Sequence, residues 1–182
     1  DTAKSHVEDL FNEMDIKPMF YEPKNFTAHT LPDVSTSFDY LCCPRSVSDL
    51  SSKIGLGHIG PKVRRIIKNA TFPVLITSSI FKPWKSISVF FGGSKNAMNA
   101  LTLGLKLAMA SGLPLNIYTL LEKKGEEYYR ELIRKNDLKA LVDQYAAQWH
   151  FYGTQEFEAM LYEVPHDSLI VLGAYGHGII KE

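Results

Sequence analysis

Cysteine is almost missing from this chain. The only two, Cys42 and Cys43, are adjacent in an apolar stretch, DYLCCP. Neighbouring cysteines rarely bridge each other, and two cannot build a disulfide framework. They read as small buried hydrophobes in a reducing compartment, with a redox pair as the lesser alternative. There is no CxxC and no Cys/His cluster, and none of the six histidines pairs with a carboxylate at metal spacing, so the sequence offers no metal site. An excess of one charge is missing too. Lys plus Arg is 20 and Asp plus Glu is 20, for a net charge of zero. The chain therefore lacks the electrostatic footprint of a nucleic-acid binder, and it has no polybasic block for a membrane surface. No apolar run approaches the roughly 20 residues that span a bilayer. The opening residues, DTAKSHVEDLFNEM, are polar and charged, unlike a secretory signal. No Gly-x-Ser-x-Gly elbow occurs, and no serine stands beside an evident base.

What is present is an ordinary soluble composition, 45% hydrophobic and 22% charged over 182 residues. That length suits about one domain, or one and a fragment. Apolar residues at Ala3, Val7, Leu10, Phe11 and Met14 predict a helix, which Pro18 stops. Met19 to Tyr21 and Tyr40 to Cys43 read as short strands. Pro61 suits the first turn of a helix with Val63, Ile66, Ile67 and Ala70 on one face. Pro73 to Ile76 is a continuous apolar strand. A second cycle starts at the strand Ser86 to Phe91. Ser94 caps a helix with a stripe of Ala97, Leu101, Leu105 and Ala108, and Gly112 ends it. Leu115 to Leu120, Trp149 to Tyr152 and Ser168 to Leu172 are further strands. A charged helix with Leu138, Leu141, Val142 and Tyr145 inward, and a short one over Phe157 to Tyr162, lie between them. The segment EKKGEEYYRELIR reads as a solvated helix face with i, i+4 pairs, or as a lid over the strand ends. Alternating strands and helices predict a parallel sheet with right-handed crossovers.

Two strand ends carry glycine turns. One is Gly92-Gly93-Ser94, after Phe91. The other is Gly173-Ala-Tyr175-Gly176-His177-Gly178, after Leu172. In open α/β sheets ligands bind beyond the carboxyl ends of the strands, near the point where the strand order reverses. Glycines there let backbone amides approach a phosphate, and the next helix adds about half a positive charge. Leu120, at another strand end, completes the candidate set, and His177 and Lys181 could add a donor and a charge. Each cluster is also readable as a plain tight strand-to-helix turn.

A repeat runs through the chain. A helix, then Phe20-Tyr21, then Asp39-Tyr-Leu-Cys-Cys is echoed by a helix, then Phe151-Tyr152, then Asp167-Ser-Leu-Ile-Val. The spacing of about 130 residues is that of a whole α/β unit. On these residues the chain resembles the universal stress protein family in its tandem two-repeat form. KSISVFFGGSKNAMNALTLGLKLAMASGLPLNIYTLLE is similar to the family's opening strand, Ser-bearing turn, first helix and second strand. DSLIVLGAYGHG is similar to its fourth strand and glycine motif, and GPKVRRIIKNATFPVLITSS to its last helix and strand. The resemblance covers about half the chain. It implies an α/β fold with a parallel five-stranded sheet flanked by helices, Rossmann-type and adenine nucleotide alpha hydrolase-like. Residues 1–79 are then the later half of a first repeat, and residues 80–182 a second repeat lacking its last helix and strand. It further implies ATP or AMP as ligand, no catalysis beyond weak ATP hydrolysis, a cytoplasmic location, and a homodimer or repeat pairing through the last strand, Pro73 to Thr77.

The match is incomplete in three places. The family's Gly-x-x-Gly, nine residues, Gly-Ser/Thr motif is met by Gly173 and Gly176 only. The acidic residue it places before Gly-Ser is Gly92 here. In the first repeat Pro44 stands where the first glycine belongs, and Pro61 replaces the hydroxyl residue after Gly60. Proline has no N–H to offer a phosphate, so the first repeat reads as structural. Two alternatives therefore stand beside nucleotide binding. One is a degenerate module acting through dimerisation or a partner. The other is an enzyme, because Phe91 to Lys95 is loosely similar to the SGGxDS loop of ATP pyrophosphatases, without its first Ser and its Asp.

Overall fold

The computed structural model describes residues 2–20, 39–44, 59–78 and 82–174. Helix α1 covers Thr2–Glu13 and strand β1 Leu41–Pro44; helix α2 is Pro61–Asn69 and strand β2 Val74–Thr77. The second cycle is β3 (Ser86–Phe90), α3 (Lys95–Ser111), β4 (Leu115–Leu121), α4 (Glu126–Lys135), α5 (Lys139–Tyr145), β5 (Ala146–Gly153), α6 (Phe157–Glu163) and β6 (Ser168–Leu172). The protein is α/β with parallel strands flanked by helices. The sheet is not the single five-stranded one expected. β1 and β2 form a two-stranded parallel pair, and the second cycle forms a four-stranded sheet in the order β5-β4-β3-β6.

Every neighbour in the larger sheet is parallel. The chain steps outward from β3 to β4 to β5 and then returns to place β6 on the other side of β3. Right-handed crossovers require the helices of those two directions to lie on opposite faces, and they do. Ile87, Val89, Leu115, Ile117 and Val171 pack with Leu101 and Leu105 of α3, Tyr129 and Ile133 of α4 and Val142 of α5. Tyr118, Leu120 and Tyr152 pack on the opposite face under Met160 and Val164. The central strand β3 is thus buried on both faces, although two of its three even positions are Ser86 and Ser88. Ser88 Oγ is satisfied by Ser168 Oγ at 2.7 Å, whereas Ser86 Oγ is buried with no partner among the described residues.

Local chemistry sets the element ends. Ser94 Oγ accepts the Ala97 N–H at 3.1 Å, and Gly112 closes α3 at φ 69°, its N–H reaching Ala108 O. α1 stops at Glu13, ahead of Pro18. Asp15 adopts φ 54° and the Ile16 N–H returns to Phe11 O at 2.8 Å, so a left-handed turn ends the helix before the proline is reached. Met19 and Phe20 are not in a strand, and Tyr21 lies outside the described residues. The charged helix is two helices, because Asp137 at φ 57° breaks it between α4 and α5. Of the two cysteines only Cys43 is buried. Burial, with Cys42 beside it, pushes its thiol up, while Cys42 is exposed and both are free. Among the described residues no helix is long and apolar enough to cross a membrane.

Candidate functional site

The strand order reverses between β3 and β6, so the crevice that α/β sheets use for ligands lies at the carboxyl ends of those two strands. Both glycine turns leave the sheet there. They are joined by α3: a Cβ added to Gly173 would lie 2.5 Å from Asn96 C and 2.7 Å from Ala97 N. Asn96 Nδ2 donates to Ala174 O at 2.6 Å. Glycine at 173 is what lets the end of β6 touch the first turn of α3.

Each expected residue among those described has a definite place. Phe91 is 1% exposed and its ring meets Tyr129 and Trp149 edge-on, so only its backbone faces the turn. That backbone is committed: its N–H donates to Tyr118 O, and its carbonyl accepts from Thr119 Oγ1, both at 2.9 Å. Gly92 is exposed, and a methyl added there would have nothing within 4 Å. Gly93 sits at φ 74°, and a Cβ there would approach Leu132 Cδ1 at 3.0 Å, Tyr129 Cε1 at 3.4 Å and Tyr128 Cε1 at 3.5 Å. Ser94 caps α3. Its hydroxyl and carbonyl take the Ala97 and Met98 amides, which leaves the Lys95 and Asn96 amides with no partner among the described residues at the mouth of the helix. Leu120 is buried beneath α6, and its carbonyl accepts from the Tyr129 hydroxyl at 3.3 Å. Leu172 is 43% exposed at the end of β6. Tyr175, Gly176, His177 and Gly178 lie outside the described residues.

Three further contributors stand at the site: Asn96 and Thr119, which escaped the sequence reading, and α4, whose segment reads as a solvated face or a lid over the strand ends. Asn96 ties the two turns together, and its signal was only its position two residues after the cap. Helix α4 lies against the Gly93 turn through Tyr128, Tyr129 and Leu132. Its charged side pairs within the helix, Arg130 with Glu126 and Arg134 with Glu127 and Glu131. Thr119, at 0% exposed, relays between Phe91 O and the Trp149 indole N–H, which donates to Thr119 Oγ1 at 2.9 Å. No three His, Cys, Asp or Glu side chains among the described residues are grouped to hold a metal.

Sheet order and the meeting of β6 with α3 define a parallel α/β module whose strand order reverses between β3 and β6. No family model matches the chain, and no curated protein does. Among solved structures it is similar to a universal stress protein family member from Burkholderia pseudomallei. That likeness has 22% identity and a TM-score of 0.37, over 50% of this chain and 81% of that one.

Proposed function

We propose that this chain is a universal stress protein-like module of tandem form, acting in stress response, whose second repeat holds an adenine nucleotide, ATP or AMP, at the β3–β6 switch point. The observation that carries the reading is the meeting of Gly173 with the first turn of α3, where the Lys95 and Asn96 amides have no partner among the described residues. Those two amides and the positive end of a 17-residue helix favour an anion at that mouth. Gly93, Ser94 and Gly173 provide the close backbone approach. The nucleotide is bound rather than turned over, and no side chain is assigned a catalytic role. The tandem organisation draws support from matching exposure in β1 and β6. Leu41 and Leu169 are half-buried, Cys42 and Ile170 exposed, Cys43 and Val171 buried, and Pro44 and Leu172 exposed. In this reading the outer edge of β2 pairs with the last strand of another repeat or chain, and the free thiols fit the reducing cytoplasm.

A second reading, a module that works through a partner without nucleotide, is favoured by Gly92 in place of a carboxylate and by the α4 side chains against Gly93. Calorimetry of the chain with ATP and with AMP separates the two. Saturable heat at up to millimolar nucleotide, tightened several-fold in Gly92→Asp by one added hydrogen bond, supports the first. No heat and no thermal shift in either protein leaves the second.

A further inference from the structure

We infer that Thr119, buried behind the first glycine turn, is a positioning residue that aims the Gly92 amide to the β3–β6 switch point as a further donor to the bound nucleotide. The inference rests on the nucleotide reading for its ligand, and on a buried hydrogen-bond relay for its geometry. Gly92 and Gly93 are consecutive, and paired glycines make the most permissive link a chain can have. Without a restraint, the peptide between Phe91 and Gly92 can turn its N–H in more than one direction.

Groups behind the turn remove that freedom. The Trp149 indole N–H can only donate, and it donates to Thr119 Oγ1 at 2.9 Å. The single proton of the Thr119 hydroxyl is thereby directed to its other partner, the Phe91 carbonyl, also at 2.9 Å. Thr119 is 0% exposed, so both bonds lie in a low-dielectric interior where they are strong and costly to leave unmade. The Trp149 ring is held in turn. It meets Phe91 edge-on at 6.1 Å, and the Arg130 guanidinium lies 5.0 Å from its centre.

The direction of the Gly92 N–H follows from this clamp. Phe91 turns both its N–H and its carbonyl toward β4, to Tyr118 and Thr119. No described peptide bond is cis, so the Gly92 N–H lies antiparallel to the Phe91 carbonyl. It points away from β4, to the side of β3 where β6 stands. It has no partner among the described residues. Beside the Lys95 and Asn96 amides it is a third backbone donor at the same turn.

The test compares the whole chain with Thr119→Val, which keeps the side-chain shape without the hydroxyl, and with Thr119→Ser, which keeps the hydroxyl. Calorimetry reads ATP affinity, and heteronuclear NMR of the ligand-free proteins reads the Gly92 amide. The expected result is ATP binding about tenfold weaker in Thr119→Val and restored in Thr119→Ser. The Gly92 resonance should shift in the first and not in the second, with the amides of residues 100–110 in place. Should Thr119→Val fail to fold, Trp149→Phe takes its part: it frees the hydroxyl to rotate and should move Gly92 part of the way. ATP affinity unchanged in folded Thr119→Val overturns the inference and leaves the nucleotide reading standing. So does a Gly92 resonance unmoved in Thr119→Val or, where that variant does not fold, in Trp149→Phe. A wild type that binds no ATP overturns the nucleotide reading, and this inference with it.

Discussion

Replacing Gly173 by alanine tests the contact on which the site geometry depends. Gly173 does not share the positive φ of Gly93 and Gly112, so the backbone accepts alanine and the whole cost is steric. The new methyl would sit 2.5 Å from Asn96 C and 2.7 Å from both Ala97 N and Asn96 O, about 0.9 Å short of ordinary contact. These are backbone atoms in the first turn of α3 and cannot swing aside as a side-chain tip does. Overpacking of this kind costs about 1–3 kcal/mol. Moving β6 away also breaks the Asn96–Ala174 hydrogen bond, worth about 1 kcal/mol. The loss is about 2–4 kcal/mol, which at a urea slope near 2 kcal/mol/M lowers the unfolding midpoint by about 1–2 M. Gly92→Ala is the matched control. Its methyl meets nothing within 4 Å and its φ is not positive, so its midpoint should stay or rise slightly. Urea unfolding followed by far-ultraviolet circular dichroism reads both. A Gly173→Ala midpoint equal to that of wild type would show that α3 and β6 do not meet as closely as the reasoning requires.

Gly104→Ala in α3 sets about 1 kcal/mol of helix propensity against a methyl 2.4 Å from Val89 Cγ2, so a net loss of up to about 2 kcal/mol is expected. The Gly104→Ala, Val89→Ala double variant should be more stable than Val89→Ala alone; additive losses in a double-mutant cycle would refute the clash. Thr119→Val leaves both the Trp149 N–H and the Phe91 carbonyl unpaired in the core and should cost about 2–4 kcal/mol in thermal unfolding, whereas Thr119→Ser should retain most of it. Ser86→Ala removes a buried hydroxyl without a partner and should be neutral or stabilising by about 1 kcal/mol; a clear loss would mean a bound water satisfies it. Burial first, and then the hydrogen bond to the Glu163 carboxylate, hold the Tyr152 phenol well above the usual tyrosine range. The unfolded chain therefore ionises first, and the stabilisation is complete below about pH 10 and drains away above it. Tyr152→Phe should lose about 1 kcal/mol at neutral pH yet fall less steeply in alkali, so parallel alkaline curves would contradict the assignment.

Residue order alone fixes what depends on neighbours along the chain. The Ser94 cap, the left-handed Gly112 stop, the proline-led α2 and the strand Ser168–Leu172 were all legible, because capping, φ preference and side-chain period act within a turn or two. The two glycine turns were legible as candidates for the same reason. Their meeting was not. It requires β6 to return beside β3 and Gly173 to press on Asn96, a contact between positions 77 residues apart. Long-range packing likewise sets Ser88 against Ser168, turns Phe91 into the core, and lays α4 over Gly93. It also divides the strands into a pair and a set of four. Periodicity records which face of an element is apolar. Which other element that face or edge meets is settled by chain closure and packing in three dimensions.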